Sequence, residues 1–266
     1  MPINCDFPLT IFNNEGFHAI DKCVMAIAFG VHNELGRFLS EKLYQNEIAH
    51  RCREQGLQVA REARILVSHH DFQKEYFVDL LAGQGVVVEL KAVENLTAIH
   101  RKQTLNYLYL LGLHHGSLIN LRPPSVVREF ISTSLNHADR RAVRWIMDEW
   151  RPLSEEFRRL ETIILELLGD WGSFLDGVLY REAVTHFLGG RDAVVRKIPI
   201  VQGPRVIGEQ EAYLLCDDVA IALTTANKNV PGYAVHLQRF LNHTRLRAIA
   251  WVNFNRQQIE FRTITR

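Results

Sequence analysis

One stretch constrains the fold more than any other: Tyr76–Leu81, then Ala82-Gly83-Gln84-Gly85, then Val86–Val93. Two β-rich runs joined by glycines predict a tight antiparallel hairpin. With the turn centred on Gln84, positions whose numbers sum to 168 face each other, so Asp79 lies opposite Glu89. Directly opposed side chains sit about 4.5–5.5 Å apart at Cβ and share a face. Lys91 points to that face as well, because side chains alternate along a strand. Phe77, Leu81, Val87 and Val93 complete it, while Val78, Leu80, Val86, Val88, Leu90 and Ala92 form the other face. Both faces are apolar, as in strands covered on both sides. Two carboxylates and a lysine are thus planted in a surface built to be buried. Like charges at about 5 Å repel by roughly 3 kcal/mol at an effective dielectric near 20. Lys91 offsets one of them, and a hard divalent cation with oxygen ligands would offset both. A salt-bridged cluster at a sheet rim is the alternative that the residues leave open.

Helices and strands alternate around this hairpin. The spacing predicts a helix over Ile20–Leu35, stopped by Gly36, and a second over Phe38–Gln55, stopped by Gly56. Leu57–Val67 reads as a strand and His69-His70-Asp71 as a solvated turn. A third helix runs from Thr97 to Leu111 and ends at Gly112. Strands at Ser117–Leu121 and Val126–Ile131 flank Pro123-Pro124. This is an α/β pattern: a central mixed β-sheet flanked by helices.

The second half repeats that order. At an offset of 136, Gly36, Phe38, Leu39, Leu43, Tyr44 and His50 fall on Gly172, Phe174, Leu175, Leu179, Tyr180 and His186, six identities in fifteen positions. At an offset of 133, Leu81, Val86, Leu90 and Asn120 fall on Leu214, Val219, Leu223 and Asn253. A tandem duplication is the expectation, with modules at 1–135 and 152–266 and a connecting helix at 136–151. That connector holds Arg140, Arg141, Arg144 and Arg151, on a face that either contacts phosphates or is solvated, and Pro152 ends it. In the second copy Glu41 becomes Gly177, Asp79 becomes Ala212, Glu89 becomes Ala222 and Lys91 becomes Thr224. Asp176, beside Gly177, has no partner carboxylates there. No metal site is expected in that module.

The pattern Asp79…Glu89-Leu90-Lys91 resembles the PD-(D/E)XK nuclease superfamily. The wider set is Gly36…Glu41-Lys42-Leu43-Tyr44, Val88–Glu94, and His100-x-x-Gln103-x-x-Asn106-Tyr107-Leu108. It is similar to the GxxExxY group within that superfamily, over about residues 20–132. Two departures stand out. The glycine lies two positions early, at Gly36 with Phe38 in its place, and Val78 stands where the superfamily's proline would be. The resemblance implies two tandem restriction-endonuclease-like modules, the first a metal-dependent phosphodiesterase. It makes Asp79 and Glu89 metal ligands, with the Leu90 carbonyl and Glu41 beside them. Lys91 would orient the attacking water and stabilise phosphate charge. Gln103 and Tyr107, one turn apart, and His100 would border the site. The implied cofactor is Mg²⁺, with Mn²⁺ as a substitute, and the implied substrate is nucleic acid, DNA first. The silent copy would bind substrate or stand in for a second subunit, making the chain an internal pseudo-dimer or a homodimer. A catalytically inactive nucleic-acid-binding or scaffold protein on the same fold is the competing expectation.

Composition narrows the rest. The chain has 266 residues, 47% of them apolar, with four cysteines and no C-x-x-C pair. That excludes a disulfide framework and a zinc knuckle. No apolar run approaches the roughly 18–20 residues of a membrane span, and no basic-then-apolar leader opens the sequence, so a cytoplasmic protein is expected. The net charge of +1 excludes a polybasic binder, yet the last 28 residues carry six arginines against Glu260 alone. Arg256, Arg262 and Arg266 in that segment are the expected phosphate contacts.

Overall fold

The computed structural model describes residues 2–266. The chain forms two units, Met1–His137 and Ala138–Arg266. Each is a six-stranded mixed sheet flanked by helices.

In unit 1 the elements are β1 (Ile3–Cys5), α1 (Asn14–Leu35), α2 (Glu41–Glu54), β2 (Val59–His69), β3 (Phe72–Ala82), β4 (Val86–Lys91), α3 (Ala98–Leu111), β5 (His115–Asn120) and β6 (Val127–Ser132). The sheet runs in sequence order, antiparallel except for the parallel pair β4–β5 that α3 connects. Val86, Val88 and Leu90 pack on Val24, Ile27, Ala28, Tyr44, Ile48 and Cys52 of α1 and α2. The opposite face lies under α3, whose Leu108 reaches Gly116 of β5. β4 is buried along its whole length, as its unbroken apolar pattern demands.

The hairpin turn has the predicted register. Ala82 pairs with Val86, Leu81 with Val87 and Leu80 with Val88. Gly83 and Gln84 take φ of 56° and 65°, the left-handed values that a tight hairpin turn requires. At Gly85 a Cβ would sit 1.9 Å from the Thr10 carbonyl, where the N-terminal segment crosses the turn, so no side chain fits. The structure corrects one detail: the first half of β3 is not covered on both faces, and Phe77 is 47% exposed. Beyond Leu80, β3 leaves β4 and pairs only with β2.

Unit 2 contains α4 (His137–Arg141, opening at the unit boundary), β7 (Arg144–Glu149), α5 (Glu155–Trp171), α6 (Gly177–Phe187), α7 (Arg191–Val194), β8 (Val195–Gln202), β9 (Arg205–Cys216), β10 (Val219–Thr224), α8 (Val230–Asn242), β11 (Ala248–Asn255) and β12 (Gln258–Thr265). Its sheet order is β7-β12-β11-β10-β9-β8. Five strands, β8 to β12, follow the order and directions of β2 to β6, with α8 connecting the parallel pair β10–β11. The sixth strand is added at the opposite edge.

That sixth strand overturns the expected connecting helix at 136–151. Only His137–Arg141 is helical, and Arg144–Glu149 is a strand parallel to β12. Trp145 packs on Phe261, and the Arg144 N–H donates to the Gln257 carbonyl at 2.7 Å. A partner more than a hundred residues away thus decides the conformation. Arg140 does not face solvent or phosphate: it is 2% exposed and donates to the carbonyls of Trp171 and Ser173.

Candidate active site

The site forms where the β3–β4 hairpin opens. One step beyond the last paired residues, the Asp79 carboxylate takes over from the ladder: its Oδ2 accepts the Leu90 N–H at 2.8 Å. The freed Asp79 carbonyl accepts Gln45 Nε2 from α2 at 2.8 Å. Lys91 then gathers the charges. Its Nζ lies 2.7 Å from Glu89 Oε1, 3.3 Å from Glu41 Oε1 and 3.9 Å from Asp79 Oδ2, and it donates to the Leu90 carbonyl at 2.8 Å. Glu41 is the first residue of α2, where the helix N-terminus favours a carboxylate. It is the most open of the four, while Glu89 is fully buried.

Burial sets the electrostatics. It pushes the Asp79 carboxyl up to about 6, with the Leu90 N–H and Lys91 pulling the other way. Burial pushes Glu89 higher still, and neighbouring Asp79 adds to the rise. For Lys91, burial alone would favour the neutral amine, but Glu89, Asp79 and Glu41 outweigh it and keep the ammonium charged. Burial, with Glu89 next, holds the Tyr107 hydroxyl up at about 12, so it stays protonated at neutral pH.

Glu89 Oε2 is the telling atom: it is buried and has no hydrogen-bond partner. An orphaned carboxylate oxygen beside a second buried carboxylate is expensive unless something positive meets it. Glu89 Oε2, the Asp79 carboxylate, Glu41 and the Leu90 carbonyl make an all-oxygen donor set, the chemistry that suits Mg²⁺ or Mn²⁺. In the chemistry of their donors the residues fit such an ion.

The other expected site residues divide. Gln103 and Tyr107 lie on α3 beside the carboxylates, with Gln103 Nε2 donating to the Tyr107 hydroxyl at 3.0 Å. His100 is held in a capping arrangement at the start of α3, its Nδ1 accepting the Thr97 N–H at 3.1 Å. In unit 2, Arg262 pairs with Glu149 at 3.1 Å and with Glu260, and lies over the Trp251 ring. Arg266 donates to the Thr244 carbonyl. Arg256 stands exposed in the turn between β11 and β12. Two supporting residues escaped the sequence reading. Gln45 carries no signal beyond its place on the buried side of α2. Asn120 does: it recurs as Asn253, and each side chain clips the chain beyond its parallel partner strand. Asn120 binds the Val93 N–H and carbonyl at 3.1 and 2.7 Å; Asn253 binds those of Ala226, both at 2.9 Å.

At the matching place in unit 2, Ala220 faces Leu214, so the same register sets Ala212 opposite Ala222. Trp251 lies beside Ala222 as Leu118 lies beside Glu89, and its indole is fully buried among Ala212, Ala220 and Leu214. The Trp251 Nε1–H donates to Thr224 Oγ1, the position of Lys91, at 2.9 Å. A Cβ at Gly177, the position of Glu41, would come within 2.7 Å of Thr225 Cγ2.

Among the described residues, no helix is long and apolar enough to cross a membrane. No curated protein and no solved structure matches the chain. Residues 18–131 match the model of the PD-(D/E)XK nuclease superfamily, whose members are generally hydrolytic nucleases that use divalent metal ions. That span runs from α1 to β6 and holds all four clustered charges, so the match to the PD-(D/E)XK nuclease superfamily covers the carboxylate cluster of the first unit.

Proposed function

We propose that unit 1 is a Mg²⁺-dependent nuclease that hydrolyses phosphodiester bonds, with DNA as the first substrate to test. Glu41, Asp79, Glu89 and Lys91 are its catalytic set. Unit 2 is a degenerate copy without a metal site that arose by tandem duplication. The observation that carries the reading is the buried, unpartnered Glu89 Oε2 beside Asp79. Asp79 and Glu89 would hold the ion, and Glu41 and the Leu90 carbonyl would be the further oxygen donors. When bound, the cation supplies Lewis acidity, polarising a phosphoryl oxygen and acidifying a water. The chain's own residues do the rest. Lys91 remains an ammonium because three carboxylates surround it, and a fixed positive charge there stabilises the charge that builds on the phosphate. Gln45 and the Leu90 N–H fix the Asp79 peptide and carboxylate, so the ligand does not reorient when the ion is bound or lost. Tyr107, protonated and accepting Gln103 Nε2, keeps its own O–H as a donor to a phosphate oxygen.

The test is cleavage of labelled single- and double-stranded DNA by the pure chain with Mg²⁺ or Mn²⁺. Asp79→Ala and Glu89→Ala should abolish cleavage and metal binding together. Lys91→Ala should lose turnover by about 10²–10³-fold, the size of one lost charge-stabilising donor. Calorimetry should still show that variant binding Mn²⁺, because an ammonium is no ligand. Undiminished cleavage by Asp79→Ala would refute the assignment.

A further inference from the structure

The sequence reading put Phe38 inside the second helix, but α2 begins only at Glu41, after its N-cap Ser40. Phe38 instead stands on the loop before it and is 75% exposed. That loop is pinned: Gly36 takes φ of 74°, and its carbonyl accepts the Tyr44 hydroxyl at 2.7 Å. Two guanidinium groups lie over the ring, Arg37 at 5.1 Å and Arg122 at 5.7 Å from its centroid. Arg122 is itself anchored, its Nε donating to the Ala92 carbonyl at 3.3 Å, one residue beyond Lys91. Phe38 lies three residues before Glu41. An exposed aromatic ring with two arginines is therefore fixed at the rim of the carboxylate cluster.

Unit 2 lacks this arrangement. Phe174 is only half-buried, and the positions of Arg37 and Arg122 are Ser173 and Asn255. The platform accompanies the carboxylates and disappears with them.

A ring left 75% exposed under two cations suits a ligand that draws the cations onto its negative charge and lays its own π-face on the ring. Nucleotides have both, and base–aromatic stacking contributes about 1–3 kcal/mol per base. In a duplex the base faces are covered by neighbouring pairs, so only an unpaired or frayed base can stack. We propose that Phe38, Arg37 and Arg122 form a platform for an unpaired nucleotide next to the scissile phosphate, which makes single-stranded nucleic acid the preferred substrate. Phe38 stacks on the base and the two arginines contact the flanking phosphates. The adjacency to a scissile phosphate rests on the nuclease reading above; the binding does not.

The experiment measures binding by fluorescence anisotropy with the full-length chain in EDTA, where no cleavage occurs. The probes are single-stranded oligothymidine, a blunt duplex, and an abasic strand with the same backbone. Phe38→Ala should weaken oligothymidine binding by about 5- to 100-fold, and Phe38→Trp should restore it. Duplex and abasic strands should bind Phe38→Ala and the parent alike. Replacing Arg37 and Arg122 with Gln should weaken all strands and flatten the salt dependence by up to about 0.7 in log–log slope per lost contact. Oligothymidine binding that ignores Phe38→Ala, or a loss equal on all three probes, overturns the platform. A cleavage assay with Mn²⁺ on the same strands separates the two readings. Phe38-dependent binding without cleavage by the parent supports the platform and sinks the nuclease. Cleavage without Phe38 dependence does the reverse.

Discussion

The two units build the same five-stranded sheet with the same parallel pair, yet treat one face of it in opposite ways. Under α3, unit 1 buries Glu89 and Asp79 against Lys91; under α8, unit 2 fills the matching space with Trp251 over Ala212 and Ala222. The backbone frame around those positions is alike. Leu118 pairs beside Glu89 as Trp251 pairs beside Ala222, and Asn120 clips Val93 as Asn253 clips Ala226. Tyr44 and Tyr180 each bind the carbonyl of a glycine eight residues earlier. What differs is chemistry that works against stability. A close-packed apolar face is the cheaper way to hold such a sheet together, and neighbouring buried carboxylates are the costlier one. The comparison teaches which residues hold the fold and which are there for something else.

The sharpest way to break it is to graft a carboxylate into unit 2. Ala222→Glu places an acid against Trp251 with Thr224 where a lysine would be needed. Ala222 is half-buried, so this should destabilise the chain by about 1–3 kcal/mol at pH 8, less than a fully buried uncompensated charge. The penalty should shrink at pH 5, where the acid stays neutral. Urea unfolding at the two pH values checks this, and an undiminished midpoint would mean that unit 2 keeps a hidden counter-charge.

The shared clips come next. Asn120→Ala orphans the part-buried N–H and carbonyl of Val93 and Asn253→Ala the buried pair of Ala226, so each should lose about 1–4 kcal/mol. Similar losses in both units support a common frame; a loss in one alone breaks the parallel.

The pH dependence should belong to unit 1. Asp79 and Glu89 titrate above their ordinary range in the folded chain, Asp79 at about 6 and Glu89 at about 8. The native state therefore holds protons that the unfolded state has released, and metal-free stability falls as pH rises from about 4.5 to 8. The slope reaches up to about 1.4 kcal/mol per pH unit for each group. Lys91, charged throughout this range, adds no slope. Glu89→Gln should flatten the profile and raise the metal-free midpoint at pH 8, while Mg²⁺ should stabilise the parent more at pH 8 than at pH 6. Thermal melts in EDTA and in Mg²⁺ read both effects.

The smallest effect tests the tyrosines. Tyr44→Phe and Tyr180→Phe should each lose about 1 kcal/mol, one hydrogen bond, with the fold intact by circular dichroism. A loss several times larger in one of them would show that its loop does more than close the helix entry.

Some of this protein was readable from the residues alone. The register of the hairpin, Leu80 against Val88 through Ala82 against Val86, follows from a two-residue period and a turn that needs positive φ, and both are local; the ladder ends one step before Asp79 and Glu89. The helix stops at Gly36, Gly56 and Gly112 are equally local, as left-handed backbone is where glycine is at home. Alternation also placed Lys91 beside the acids. Local periodicity could not show that Arg144–Glu149 is a strand, because the segment pairs only when β12 arrives beside it. Nor could it show that Arg140 is buried on two carbonyls, that His100 caps its own helix, or that Phe38 lies outside the helix that follows. Period and turn chemistry act over a few residues, and the chain alone determines them. Whether a polar side chain finds a partner, or a short amphipathic stretch a neighbouring strand, depends on groups distant in sequence, and only the tertiary structure decides it.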